Sequence, residues 1–361
     1  MKSRIVGILL LVAMIAGAVW YKFSRGQTGS IAVGPVRTIQ GVVGGEKTSF
    51  LEDSLVRQIL AERYGIAIQY TKAGSIEMAR GPVQGMDFIW PSSQTALEVF
   101  RERNAAAILR SEVVFNSPLV LYSWDSVAAA MEKQGILRGK DGVWFVKDFQ
   151  KLADMVVSGR KWKEIGVAGL FGKVNIVTTD PALSNSGYMF AGLVANVLNG
   201  DVLSDSEVDT VVPRVRRLFR SLGYMERSSS DLFQQYMNTG IGAKPLVAGY
   251  ESQMLEFAVL NTQAWAGLRK RVRIFYPEPT VWSAHPLVAL TPVGKELVTA
   301  MLDPEIQKLA WERHGFRSGV AGIVNDPASI PVDGLPSQIQ QVVPMPSART
   351  MDRILAAISA P

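Results

Sequence analysis

The chain has 361 residues, is 48% hydrophobic and carries a formal net charge of +6, so it can bury a sizeable core and hold more than one domain. It contains no cysteine, which excludes disulfide bonds, thiolate metal sites, cysteine nucleophiles and a lipidated N-terminal cysteine. Its densest basic stretch, 269–274, alternates with apolar residues as a solvated strand does, and no nucleic-acid partner is indicated.

An apolar segment near the N-terminus indicates export. Lys2 and Arg4 precede the apolar run 5–21, and Lys22 follows it at once. A small-x-small pattern at 16–18 suits signal-peptide cleavage, whereas the length of the run is also sufficient for a short membrane-spanning helix. We therefore expect residues 1–29 to be a cleaved signal peptide or an uncleaved membrane anchor that tethers the chain through 5–21. Either places the rest in the periplasm or at the outer face of the cytoplasmic membrane.

Short apolar runs alternate with helical patterns along the remaining chain, which indicates an α/β fold. Strands are predicted at 36–43, 66–70, 87–90, 119–122, 175–179, 246–248, 273–276 and 287–290. Helices are predicted at about 94–103, 146–158, 213–222, 231–237, 292–302 and 304–314. A further helix follows Ser49 and Glu52, which have the spacing of a capping box, with its buried stripe on Leu55, Val56, Ile59 and Leu60.

The predicted strands end at small polar loops that open helices. These loops lie at 44–49, 72–75, 91–93, 184–187 and 249–253. In open α/β sheets, ligands bind beyond the carboxyl ends of the strands, and the N–H groups at helix starts favour negative or hydrogen-bond-accepting groups. We expect the five loops to converge on one cleft.

A series of segments in a fixed order resembles one known family. The segments are YTKAGS (70–75), DFIWPSS (87–93), NSPLVLYSW (116–124), IVTTDPALSNSGYMFAGL (176–193), VAGYESQMLEFA (247–258), FYPEPTVWSAHPLVAL (275–290) and GKELVTAMLDPEIQKLAWERHGFRSG (294–319). Together they resemble the type II periplasmic binding proteins of ABC-type importers, nearest to the molybdate/sulfate-like group of extracellular solute-binding proteins. The last segment is similar to the family's terminal signature, and the resemblance covers roughly 36–320.

The resemblance implies a two-lobe α/β fold with two crossover strands. Residues 36–118 plus 284–320 would form lobe 1, and 119–283 would form lobe 2. The extension 321–361 exceeds the usual end of the family, and we expect it to pack back on a lobe. The implied partners are a small-molecule or oxyanion ligand in the interlobe cleft and a membrane transporter permease that recognises the closed form.

The candidate ligand-binding residues lie in the loops that the resemblance assigns to the cleft. They are Gly45, Glu46, Lys47, Ser75, Ser92, Ser93, Asn116, Ser117, Ser184, Asn185, Ser186, Gly187, Tyr250 and Glu251. Hydroxyl, amide and helix-start N–H groups can bind an anion without a formal positive charge. Ordinary helix caps, turn residues and a core aromatic remain the alternative interpretation of these residue types.

Two carboxylates among these candidates leave the ligand class open. Glu46 and Glu251 would repel an oxyanion unless Lys47 or Lys72 offsets them. An amine-bearing or zwitterionic organic ligand is therefore an alternative to an oxyanion.

Enzymatic interpretations have little support. The chain has two histidines, His285 and His314, and neither a Gly-x-Ser-x-Gly elbow nor the three ligands of a zinc site is evident. We predict no catalytic residue, no metal and no cofactor. The alternative to a transport role is a membrane-anchored sensor or envelope-assembly module of the same fold that acts through a protein partner.

Overall fold

The computed structural model describes residues 35–360, so the predicted leader at 1–29 lies outside the described residues. Within 35–360, no helix combines the length and the apolar character needed to cross a membrane.

The described part of the chain forms ten β-strands and fourteen α-helices. The strands are β1 (Arg37–Val43), β2 (Ile66–Lys72), β3 (Phe88–Trp90), β4 (Arg110–Trp124), β5 (Leu137–Lys140), β6 (Val143–Val146), β7 (Leu246–Tyr250), β8 (Val272–Pro277), β9 (Trp282–Ala289) and β10 (Arg317–Ser318). The helices are α1 (Thr48–Glu52), α2 (Ser54–Tyr64), α3 (Ser75–Arg80), α4 (Gln94–Asn104), α5 (Asp125–Lys133), α6 (Phe149–Val157), α7 (Asn185–Asn199), α8 (Val208–Leu222), α9 (Ser229–Thr239), α10 (Glu251–Leu260), α11 (Thr262–Leu268), α12 (Pro292–Met301), α13 (Pro304–His314) and α14 (Ala348–Ser359).

The strands form two sheets that share β4. The first sheet has the order β2-β1-β3-β9-β4-β10, with β1, β2 and β3 parallel and β9 antiparallel to β3 and β4. The second sheet has the order β7-β4-β8-β6-β5. Strand β4 pairs with β9 up to Pro118 and with β7 from Leu119 onward. The chain therefore crosses between two lobes along β4 and returns between β8 and β9, which confirms the predicted fold class.

Each lobe has its own hydrophobic core. In the first lobe, three aromatic rings pack together: Phe50 lies edge-on to Phe115, with ring centroids 5.0 Å apart, and Phe115 stacks on Phe316 at 5.2 Å. In the second lobe, α7 is buried along almost its whole length, which its apolar run 187–195 explains. The two cores hold the cleft-facing ends of the strands on rigid supports.

The C-terminal extension contacts both lobes. Its backbone pairs with the return segment, where Thr280 N–H donates to the Gln341 carbonyl at 3.0 Å. On α14, Met351 and Ile354 are fully buried beside α8, while Asp352 accepts from the Arg80 guanidinium of the first lobe at 3.1 Å. The extension thus spans the junction between the lobes.

Several local predictions are wrong. Residues 175–179 form isolated bridges rather than a strand, since Val177 pairs only with Val247 and Thr179 only with Glu226.

The predicted capping box is also absent. Ser49 lies inside α1, and α2 is capped instead by Asp53, whose side chain accepts from Leu55 N–H at 2.9 Å. Leu55 is 42% exposed, because the buried face of α2 is formed by Val56, Ile59 and Leu60 and does not include Leu55.

Candidate functional site

A cleft of about 490 Å³ lies between the two lobes. The first lobe lines it with Gly44, Gly45, Glu46, Thr48, Lys72, Ala73, Gly74, Ser75 and Glu77. The second lobe lines it with Leu183, Ser184, Asn185, Arg227, Ser228, Ser229, Ser230, Asp231 and Tyr250. The cleft-facing residues follow β1, β2 and β7 directly, so the carboxyl ends of these strands meet at the cleft, as expected of an open α/β sheet.

Two helices of the second lobe start at the cleft. Helix α7 begins after Ser184, whose side chain makes no capping hydrogen bond. Helix α9 begins after Ser228, whose hydroxyl accepts from Asp231 N–H at 3.4 Å. The first N–H groups of a helix have no partner within the helix and carry the positive end of its dipole. The second-lobe wall therefore favours negative or hydrogen-bond-accepting groups.

The two lobes contact each other across the cleft through Asn185. Its side-chain amide donates to the Ser92 carbonyl of the first lobe at 3.0 Å and to the Tyr250 hydroxyl at 2.9 Å. Burial, followed by the nearby Glu46 carboxylate, raises the pKa of Tyr250 above its ordinary value, so its hydroxyl keeps its proton. Asn185 thus links the two lobes directly at the cleft.

A buried polar cluster lies behind the first-lobe wall. Lys47 is fully buried, and its ammonium donates to the Glu46 carboxylate, to the Ser92 hydroxyl at 2.7 Å and to His285 Nδ1 at 3.1 Å. The Ser92 hydroxyl in turn donates to Glu46. On the other side of the imidazole ring, His285 Nε2 lies 3.3 Å from the Ser283 hydroxyl. The ammonium thus has three partners, and the Glu46 carboxylate is held at the edge of the cleft.

The cluster contains an ion pair beside a neutral imidazole. Burial acts to raise the pKa of Glu46, but the Lys47 charge, His285 and hydrogen bonds from Lys47 and Ser92 lower it to about 2. Burial, followed by the Lys47 charge, holds the pKa of His285 well below its usual value. Burial also lowers the pKa of Lys47, against the opposing effect of Glu46. The contacts of Lys47 Nζ with the Glu46 carboxylate, the Ser92 hydroxyl and His285 Nδ1 fit an ammonium paired with Glu46, with Nδ1 of His285 as an acceptor.

The exposed charges at the cleft have both signs. Lys72 and Arg227 supply cationic groups, while Glu77 and Asp231 supply carboxylates. The Glu77 carboxylate accepts from Gly74 N–H at 3.3 Å and is thereby tied to the start of α3. The cleft therefore presents charges of both signs to a molecule held between the lobes.

The structure brings most of the predicted site residues to one place. Gly45, Glu46, Ser75, Ser184, Asn185 and Tyr250 line the cleft. Lys47 and Ser92 lie directly behind it in the buried cluster. The Ser75 hydroxyl accepts from Ser92 N–H at 2.9 Å and so joins two of the predicted loops.

Four other predicted residues do not line the cleft, and each has a structural contact elsewhere. The Ser93 hydroxyl caps α4 by accepting from Ala96 N–H at 3.1 Å. The Ser117 hydroxyl is fully buried and accepts from Ser252 N–H at 3.0 Å. Asn116 lies within β4, paired with Ala284 and Arg317. Both oxygens of Glu251 accept from the Arg317 guanidinium, at 2.6 and 2.8 Å, and the Tyr276 hydroxyl donates to one of them.

Ser186 and Gly187 also serve packing in the first turn of α7. The Ser186 hydroxyl is buried 2.7 Å from the Thr179 hydroxyl. A Cβ atom at Gly187 would lie 2.2 Å from the Thr179 carbonyl oxygen, so only glycine fits there. We therefore leave both residues out of the cleft, together with Ser93, Asn116, Ser117 and Glu251.

The segment 227–231, which was not predicted as part of the site, contributes Arg227, three serines and Asp231 to the cleft. A signal for it exists, because RSSSD directly precedes a helical pattern and serine is a preferred helix cap. In residues 35–360, no group of three or more His, Asp or Glu side chains is arranged to hold a metal ion.

Comparisons with known proteins agree on the fold. No family model matches the chain, and no curated protein sequence does. A substrate-binding protein of an ABC transporter from Agrobacterium tumefaciens matches with a TM-score of 0.54 and 12% identity, over 90% of this chain and 95% of that one. An ABC transporter structure from Clostridium perfringens matches with a TM-score of 0.53 and 12% identity, over 88% and 98%.

A third similar structure comes from Trichodesmium. Its protein IdiA (FutA), in complex with iron and citrate, matches with a TM-score of 0.52 and 13% identity, over 89% of this chain and 97% of that one. At such identities the likeness establishes the fold alone. The chain thus has the two-lobe fold of the periplasmic solute-binding proteins of ABC transporters, and the resemblance seen in the sequence is confirmed at the level of the fold.

Proposed function

We propose that this chain is an extracytoplasmic solute-binding protein, which captures a small anionic or zwitterionic ligand between its lobes for an ABC-type importer. The observation that carries the proposal is the cleft of about 490 Å³, which both lobes line with serine hydroxyls, helix starts and charged groups. Its volume lies within the usual range of small-molecule sites, roughly 300–1,000 Å³.

The polar groups of the cleft define the ligand class. The starts of α7 and α9, together with Arg227, suit a carboxylate or another oxyanion. The carboxylates of Glu46, Glu77 and Asp231 suit an amine, as a zwitterion would supply. We therefore assign the anionic group of the ligand to the second-lobe wall.

The mechanism we propose is closure about the two crossover segments. Lobe 1 would comprise 36–118 plus 284–320, and lobe 2 would comprise 119–283, with the extension 321–361 in contact with both. A ligand that contacts both lobes stabilises the closed form by its differential affinity. The hydrogen bond from Asn185 to the Ser92 carbonyl joins the two lobes and would stabilise the closed form. A permease would then recognise the closed form outside the membrane, where a leader of either kind would place the protein.

The same geometry argues against catalysis at the cleft. His285, the histidine nearest to it, is fully buried behind Lys47 and Glu46 and has a strongly lowered pKa. Proton transfer to a bound molecule requires a titratable group within hydrogen-bond reach of it. We propose a binding role without turnover.

A thermal-shift screen of the purified chain tests the proposal. The panel comprises oxyanions, amino acids, dicarboxylates, polyamines, sugars and metal ions. A ligand at a hundredfold its dissociation constant stabilises the folded state by about 2.7 kcal/mol. We expect selective stabilisation by an anionic or zwitterionic compound.

Ser184→Trp is the matched variant for this screen, because Ser184 lies at the cleft surface and its side chain does not cap α7. The variant should fold and should lose the ligand-induced shift. Ser186 is unsuitable for this purpose, because a bulky side chain there would strike Thr179. A panel without hits, or a hit that Ser184→Trp retains in full, would contradict the proposed site.

A further inference from the structure

A second cavity lies apart from the cleft, between the second-lobe sheet and the C-terminal extension. Its volume is about 360 Å³, and it shares no lining residue with the cleft. Phe145 on β6 and Tyr276 on β8 lie in register on neighbouring parallel strands and form its floor. Leu335 and Ile339 of the extension form the opposite wall.

The wall that the extension contributes is firmly anchored. The buried Arg317 guanidinium donates to the Pro336 carbonyl at 2.9 Å and to the Ser337 carbonyl at 3.3 Å, while its other contacts hold Glu251. A Cβ atom at Gly334 would lie 2.3 Å from the Gly142 carbonyl oxygen, which shows how closely the extension approaches the β5–β6 turn. The extension therefore forms a well-anchored wall on one side of the cavity.

The cavity is lined by aromatic rings on one side and by polar amide groups at its opening. The rings of Phe145 and Tyr276 have centroids 6.3 Å apart and planes inclined by 48°. The Arg138 guanidinium lies 5.5 Å from the Phe145 ring and neutralises Glu278, which also lines the cavity. The exposed amides of Gln338 and Gln340 stand at the solvent side.

Those properties favour one class of ligand. The half-buried Phe145 ring, with Leu335 and Ile339, favours a flat molecule with an apolar face, while the amide groups at the rim pair with hydrogen-bonding groups on its edge. The paired charges of Arg138 and Glu278 leave little net charge to attract an ion.

We propose that this cavity, between the Phe145–Tyr276 floor and the C-terminal extension, is a second binding site that takes a small planar aromatic molecule with a polar edge. The inference is independent of the function proposed for the cleft, because the two share no residue.

Binding of indole to the full chain tests this site. Indole is planar and neutral, and its N–H can donate to a glutamine carbonyl. Saturation-transfer difference NMR detects the bound probe, and a titration followed by calorimetry gives its dissociation constant. We expect Phe145→Ala to weaken indole binding about tenfold, which corresponds to roughly 1.4 kcal/mol. Phe171→Ala is the matched control, because Phe171 is 96% exposed and lies outside the cavity.

A second variant keeps the test decisive if Phe145→Ala destabilises the lobe. Gln338→Trp changes an exposed residue at the mouth and should block the cavity without disturbing the fold. Loss of indole binding in Gln338→Trp, with binding retained in Phe171→Ala, supports the site. Absence of indole binding to the unaltered chain, or equal binding by Gln338→Trp and the unaltered chain, overturns it.

Discussion

The buried pair of Lys47 and Glu46 permits a quantitative prediction about stability. Replacing Lys47 with Met shortens the unbranched side chain by one atom and removes its charge. The Glu46 carboxylate, whose side chain is 8% exposed, then retains the Ser92 hydroxyl as a donor but loses its compensating cation. Removing one member of a buried ion pair leaves the other charge uncompensated in a medium of low polarity.

The structure sets the size of the effect. The pKa of Glu46 is lowered from 4.5 to about 2, a difference that corresponds to roughly 3 kcal/mol of preferential stabilisation of the carboxylate. Loss of one partner of a buried pair typically costs about 3–5 kcal/mol. We therefore expect Lys47→Met to lower the free energy of unfolding of the first lobe by about 3–5 kcal/mol at pH 7.

Urea unfolding followed by tryptophan fluorescence measures this change, because the Lys47 ammonium lies 5.7 Å from the centre of the Trp90 ring. The matched control is Lys47→Met combined with Glu46→Gln, which removes both charges. It should recover most of the loss, since neutral replacement of a buried pair is often close to neutral in stability. In Lys47→Met alone, burial raises the pKa of Glu46, so the deficit should shrink as the pH falls and the carboxyl takes up a proton.

The reasoning is refuted if Lys47→Met lowers the free energy of unfolding by less than about 1 kcal/mol at pH 7. It is equally refuted if the double variant is no more stable than the single one, because the loss would then reflect packing around the Lys47 side chain.

Three further predictions concern stability. The pKa of Glu46 is about 2 in the folded state and 4.5 in the unfolded chain, so the contribution of Glu46 to the free energy of unfolding is complete above pH 4.5 and is lost as the pH falls toward 2. Acid unfolding of Glu46→Gln should lack this pH-dependent loss of stability. Gly187→Ala should lower the melting temperature by an amount equivalent to about 1–3 kcal/mol, as its Cβ atom would strike the Thr179 carbonyl; an unchanged melting temperature would show that α7 shifts freely. Arg317→Met should destabilise the chain by about 3–5 kcal/mol in urea, with substantial recovery when Glu251→Gln is added, and a lack of recovery would count against an uncompensated carboxylate as the cause.

The order of the predicted elements follows from local patterns and is mostly correct. Helices α12 and α13 appear within one residue of their predicted bounds, because proline at the start and an apolar stripe are local signals. The N-terminal half of β4 was missed, since Asn116, Ser117 and Pro118 have the composition of a turn. Pro118 is tolerated there because β4 changes partners between Pro118 and Leu119.

For the site, local signals identified candidate loops without deciding which residues face the cleft. Ser184 and Asn185 were predicted at a helix start, and both line the cleft. Ser186 and Gly187 have the same local context but turn toward Thr179. Successive residues of an α-helix are rotated by about 100° around its axis, so neighbouring side chains at the start of a helix face different surroundings.

The sequence by itself determined the alternation of strands and helices, the α/β class and most of the polar loops, because these depend on periodicity and turn chemistry among near neighbours. Tertiary structure alone decided that Lys47 meets His285, 238 positions along the chain, and that Glu251 is neutralised by Arg317. It also decided that Arg227 reaches the cleft. The physical reason is that the charge state and accessibility of a side chain depend on which distant elements exclude water from it, and no local pattern records that packing.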